Sequence, residues 1–275
     1  MASIIDIVWA YFIYFLPTLV ISLLAVMVGI MIYVFGKRKN NKIMDSSFED
    51  IKQSSSAWID TFILDETSTI GRSYRTEFKQ DLAIQNLRLH YTMVPRHLIV
   101  SKLGALVRKR KDYVLIEADP RDKIVHRYQL EILARSDEKG IKSLMDMLGR
   151  MEVMDFRNKD LDAQFLLRVN DLEFFQALFE GAPNILKIVF SARKHLVRVS
   201  LYPLATPSIR VVAKLDEDTK SPLLLRLVLE MTTNLAKLGN KGFYAKQRVG
   251  RVVKDPSIKD DGKPRFPGEP RSRNR

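Results

Sequence analysis

The chain has 275 residues, 46% hydrophobic and 28% charged, enough for one core of ordinary size. It contains no cysteine, which excludes a disulfide framework, a thiolate metal site and a cysteine nucleophile. Its net charge of +13 points to anionic partners, RNA or acidic lipid headgroups, and leaves the fold open.

From Ile7 to Phe35 the run IVWAYFIYFLPTLVISLLAVMVGIMIYVF carries no charge. About 20 apolar residues suffice to cross a bilayer. A cleavable signal would need a basic start and an apolar core of about 7–15 residues, whereas Asp6 is the one charge before this longer run. Residues 1–36 are therefore predicted to form a retained single span. Tilt, a kink at Pro17 or an interfacial start at Trp9, Tyr11 and Tyr14 would absorb the excess length. Lys37, Arg38, Lys39 and Lys42 follow at once and are the predicted membrane-surface cations. By the positive-inside bias they place the remaining chain in the cytosol. Residues 37–56, with SSFED and QSSSA, read as a polar juxtamembrane tether.

A cytosolic domain is then expected over residues 57–240. Leu87, Leu89, Tyr91 and Met93 alternate, so Asn86–Met93 reads as a half-buried strand. After Pro95 a helix is expected with Leu98, Ile99, Leu103, Leu106 and Val107 on one face. It would end in Arg108, Lys109, Arg110 and Lys111, which suit the partly negative helix C-terminus and form a possible second basic patch. Asp112–Asp119 and His126–Ala134 read as strands around a turn at Asp119-Pro120-Arg121-Asp122. A helix follows from about Ser136, then a strand over AQFLLRVN and a helix over DLEFFQALFE with Asn170 and Glu173 as its capping box. ILKIVFSA, HLVRVSLYP and SIRVVAKL read as three strands, and Ser221-Pro222 opens the last helix. Strands and helices do not alternate strictly, so the predicted class is α+β with a mainly antiparallel sheet and packed helices.

Motifs for catalysis are missing. His90, His97, His126 and His195 are dispersed, with no pair at metal-ligand spacing, and each reads as a half-buried structural residue. There is no P-loop, dinucleotide glycine fingerprint or nucleophile elbow. LDEDTK, with Asp216, Glu217 and Asp218, lacks the spacing of a calcium loop and reads as a solvated turn. No cofactor, no metal and no enzymatic activity are expected.

The last helix carries the most information. Leu224, Val228, Met231, Leu235, Leu238, Gly242, Ala245, Val249 and Val252 form a seam of heptad period. Leu223, Leu225, Leu227 and Leu229 widen the apolar surface in its first half, which is expected to be core. Residues 241–255 read as a basic helical extension and 256–275 as a disordered basic tail. From Lys237 onward twelve cations face four acids, a local balance of +8 within the total of +13. Lys237, Lys241, Lys246, Arg248, Arg251 and Lys254 are the candidate ribosome- or polyanion-binding residues.

Three stretches carry a family resemblance: HLIVSKLGALVRKRKDYVLIEADP, YQLEILARSDEKGIKSLMDMLGRMEVMDF and LLLRLVLEMTTNLAKLGNKGFYAKQRVGRVVKD. Their order resembles calumin, the coiled-coil-domain subunit of the PAT complex in the multipass translocon, over most of residues 85–255. The resemblance implies a membrane-protein biogenesis factor with a single span and a cytosolic domain. It implies work beside the Sec translocon and ribosome, rRNA included, with a small membrane-protein subunit, shielding nascent transmembrane segments. The implied membrane is the endoplasmic reticulum, or the plasma membrane for a compact archaeal relative. Two departures stand out. About six residues precede the apolar run, in place of a long acidic lumenal region, and the charged coiled coil is reduced to a short tail. These leave the family's calcium role and its reach toward the ribosome without support. The alternative is a tethered module held on anionic lipid by the same cations, with an unrecognised enzyme as a third reading.

Overall fold

The computed structural model describes residues 4–79, 82–96, 111–121, 128–202 and 207–240. These fall into two compact units, one of residues 4–42 and 94–96, the other of the remaining described residues from Ile43 onward.

Helix α1 runs from Ile4 to Ser55. In the first unit its side chains from Tyr11 to Val28 are exposed, Tyr14 at 78%. Pro17 lies within it, and the Thr18 hydroxyl donates to the Tyr14 carbonyl at 2.9 Å. At the end of this stretch Asn40 is buried; its amide donates to the Val94 carbonyl at 3.1 Å and accepts from Arg96 at 2.6 Å.

The segment 37–56 is therefore helical through Ser55, where a loose tether was expected, and the α+β unit begins at Ile43, ahead of the expected position 57. The reason is a stripe that the polar composition hides. Ile43, Met44, Ser47, Ile51 and Ser55 recur at helical spacing and are all buried. Its polar members are satisfied: Ser47 Oγ lies 2.6 Å from Ser221 Oγ, and Ser55 donates to the Ile51 carbonyl at 2.7 Å. Beside the stripe, Phe48 stacks on Tyr74 at 4.1 Å and meets Phe62 edge-on at 5.2 Å.

The second unit is built on one sheet. Its strands are β1 (Ile59–Thr67), β2 (Gly71–Phe78), β3 (Ile84–Thr92), β4 (Tyr113–Pro120), β5 (Leu130–Ala134), β6 (Glu152–Val153), β7 (Phe165–Val169), β8 (Leu196–Leu201) and β9 (Ile209–Lys214). The spatial order is β1-β2-β3-β4-β9-β8-β5-β7-β6, and every pairing is antiparallel. The helices of this unit are α2 (Glu138–Leu148), α3 (Lys159–Gln164), α4 (Leu172–Gly181), α5 (Pro183–Ala192) and α6 (Ser221–Asn240). The α+β class and the antiparallel sheet are as the sequence implied.

Period 2 divides each strand between two faces. Val114, Ile116 and Ala118 of β4, Val199 and Leu201 of β8, and Ile209, Val211 and Ala213 of β9 enter one large core. Helices α4, α5 and α6 supply its other side through Phe174, Phe175, Leu178, Ile185, Val189, Leu227, Val228, Met231 and Leu235. The first half of α6 is core, as its apolar breadth implied. On the opposite face, α2 brings Leu144, Met147 and Leu148 onto Leu133 and Tyr202.

Three local expectations are corrected. Residues 185–192, read as a strand, lie in α5; Pro183 opens the helix, and Ile185, Ile188, Val189 and Ala192 fall on one buried face. Asp171, and not Asn170, caps α4 by accepting from the Phe174 N–H at 2.9 Å, while Asn170 accepts from the Gln129 N–H at 2.7 Å. The β1–β2 hairpin lies in a stretch for which no element was predicted.

Candidate functional site

Lys37, Arg38, Lys39 and Lys42 are all exposed on α1, directly after its charge-free run. Lys237 is exposed in the last turn of α6, where a cation is favoured beside the helix carbonyl ends. Lys241, Lys246, Arg248, Arg251 and Lys254 lie outside the described residues, as do Arg108, Lys109, Arg110 and the helix expected after Pro95. Lys111 is described and exposed, just ahead of β4. Burial, and then the charge of Lys111, hold the Lys214 ammonium below the usual lysine range. The cations therefore form an exposed group on α1, with single members elsewhere among the described residues.

Of the histidines, His97 and His126 are outside the described residues, while His90 lies on β3 and His195 just before β8. No group of ligands able to hold a metal occurs among the described residues. LDEDTK forms a turn, closed by Asp216 N–H donating to Thr219 Oγ1 at 2.8 Å.

A feature the sequence reading missed is a row of charge across the sheet. Register places Arg88, Glu117, Arg210, Ser200, Glu131 and Arg168 opposite one another on β3, β4, β9, β8, β5 and β7. Its centre is dry: Glu117, Arg210, Ser200 and Glu131 are buried, Glu131 completely. Arg88 at one end is exposed and Arg168 at the other is half-buried, donating to the Met151 carbonyl at 3.2 Å.

Each of the two carboxylates in the row has an arginine. Glu131 takes a bidentate pair from Arg198, at 2.7 and 3.1 Å, and a third hydrogen bond from Ser200 at 3.0 Å. Arg198 also donates to the Tyr202 hydroxyl at 2.6 Å. Glu117 sits 3.2 Å from Arg210 Nε and 3.2 Å from His90 Nε2. The two carboxylates stand three strands apart, about 14 Å at ordinary strand spacing. Paired acid–base work on a glycosidic bond needs roughly 5–9.5 Å. The row therefore fixes register: a slip of one residue on any of these strands would drive a charge into the apolar core opposite.

Neither a family model nor a curated protein matches the chain.

Proposed function

We propose that the chain is a single-pass membrane protein whose α+β unit works on the cytosolic side as a membrane-protein biogenesis factor beside the Sec translocon and ribosome. One observation carries the membrane part: only 6% of the most apolar window of α1 is buried. So much apolar side-chain surface in water would be strongly unfavourable, and a bilayer removes the cost. The one run of sufficient length among the described residues, and the four cations that follow it, support this topology. The biogenesis part rests on the three stretches that resemble calumin, together with the cationic C-terminal third. In this reading Lys237, Lys241, Lys246, Arg248, Arg251 and Lys254 meet rRNA, and a small membrane subunit and nascent transmembrane segments are the further partners.

Two measurements on membranes test it. The chain is expected to resist alkaline extraction. After gentle solubilisation it is expected to co-sediment with ribosomes, with binding that falls steeply as salt rises. Charge reversal at Lys241, Lys246, Arg248 and Arg251 should abolish the ribosome signal. Absence from ribosomes even at low ionic strength sinks the biogenesis reading and leaves the span intact. A second reading, a module held flat on anionic lipid, is favoured by the exposure of Lys37, Arg38, Lys39 and Lys42. Each near-surface cation contributes about 1 kcal/mol there.

A further inference from the structure

The sheet ends in two unlike edges. β6 has two residues, whereas β1 presents nine, and among the described residues no strand pairs with its outer side. Alternate backbone N–H and C=O groups along that side are therefore open to another strand. Asp60, Thr61 and Leu64 to Thr67 are exposed, which leaves the edge accessible.

β1 is regular only in its middle. Its register against β2 shifts at Asp60 and again at Asp65, and Thr61 to Leu64 form the even run between them. Within this run Phe62 and Leu64 share the core side, opposite Thr76 and Tyr74. Phe62 is half-buried against Phe48, while Leu64 is 49% exposed. The core thus stops at β1 in an apolar rim that a further strand would cover.

The charges beside the run are of one sign. β1 carries Asp60, Asp65 and Glu66 and no cation, in a chain of net charge +13. Arg75 approaches Asp65 only to 3.9 Å, with both groups partly in solvent, a weak pairing. These acids disfavour a second copy of the chain, because antiparallel pairing centred on Thr61–Leu64 would set Asp60 against Asp65 twice. The same acids favour a strand of opposite charge.

We propose that β1 is a docking edge for an extended cationic segment of another protein, which adds a strand along Thr61–Leu64. Main-chain hydrogen bonds hold the segment, and its side chains decide which sequence fits. Two apolar residues at alternate positions cover Phe62 and Leu64. Cations on either side of them, about 16 Å apart along the strand, meet Asp60 and Asp65. The edge is independent of the biogenesis reading, and loss of ribosome binding leaves it untouched.

The test uses the full chain in non-ionic detergent and a labelled hexapeptide with blocked ends. The peptide has lysine at both ends and valine, threonine, valine and threonine between them. Fluorescence anisotropy should show saturable binding that weakens as salt rises. Asp60→Asn and Asp65→Asn should each weaken it about two- to fivefold, the size of one exposed ion pair. Asp60→Lys combined with Asp65→Lys should abolish it and create binding of the same peptide with glutamate ends. Both positions lie on the outer strand, so these variants keep the core intact. A peptide with proline at its third and fourth positions lacks an N–H facing β1 in either pairing and should not bind. Hydrogen exchange should show the lysine peptide protecting amides within Thr61 to Leu64. That pattern supports the docking edge. Absence of saturable binding overturns it, as does equal binding of the proline peptide, which marks charge attraction without strand pairing. Protection of the outer amides before any peptide is added also overturns it. If that protection rises with protein concentration, the occupant is a second copy; if it does not, the occupant is the chain's own cationic segment after Asn240.

Discussion

The two faces of the sheet solve the same burial problem in opposite ways. On β4, Val114, Ile116 and Ala118 point into an apolar core, while Leu115, Glu117 and Asp119 point the other way. On β5, Ile132 is 1% exposed and its neighbour Glu131 is 0% exposed, yet one is held by dispersion and the other by Arg198 and Ser200. The apolar face tolerates small changes of volume at moderate cost. The ionic face tolerates no loss of a partner, because a lone buried charge has neither water nor counter-ion.

The largest effect is therefore expected on the ionic face. Glu131→Ala strands Arg198 and should cost about 3–5 kcal/mol, whereas Ile132→Val beside it should cost about 1 kcal/mol. Thermal melts of the detergent-solubilised chain distinguish them, at roughly 2–4 °C per kcal/mol for a unit of this size. Replacing both Glu131 and Arg198 with Leu sharpens the point. The double variant should regain most of the loss, and a melt as low as that of Glu131→Ala would show that packing, and not the stranded charge, sets the cost.

A smaller effect belongs to Asp119. It accepts from the Ser208 N–H at 2.9 Å, but burial raises its carboxyl above the ordinary value, with nearby Glu117 adding to the rise. The charged form therefore burdens the folded state. This group's contribution is fully present below its unfolded value near 3.9 and is lost as pH rises through the raised folded value. Asp119→Asn, which keeps the acceptor, should raise stability at neutral pH by under about 1 kcal/mol, since the group is half in solvent. The gain should vanish on acidification to about pH 3, where both variants are neutral. A gain that persists there would locate its origin in packing.

The smallest effect is expected at the wet end of the row. Arg88 is exposed, so Arg88→Ala should change the melt by no more than about 0.5 kcal/mol, although it stands opposite buried Glu117. A loss of several kcal/mol would mean that the row acts as one connected network from end to end.

Much of the architecture was readable from pattern. The alternation in NLRLHYTM, the runs VLIEA and LEILA, and the apolar breadth of LLLRLVLEM each placed an element and its buried side, because burial imposes a period of 2 or 3.6 on sequence. Short apolar runs were not so decisive. ILKIVFSA fits a strand or a buried helix equally by periodicity, and only the packing of Ile185, Ile188, Val189 and Ala192 against α4 and α6 separates them. Residues 37–55 conceal their helix for a related reason: the composition is that of a linker, and Ser47 and Ser55 are marked as buried positions only by their partners.

What the sequence determined alone is the class of element at each strongly periodic stretch, the apolar N-terminal helix and the concentration of charge at its end. These follow from local composition and period, which need no distant partner. What tertiary structure decided is the set of neighbours. Glu117, Arg210, Ser200 and Glu131 are scattered over 94 positions of chain and become one row only through strand order and register. His195 likewise looked like an ordinary strand residue until the connection from β9 to α6 brought Asp216, Thr219 and Lys220 around it. Charges that would be costly if buried singly become stable where the fold supplies their partners, and that pairing is a property of non-local contact.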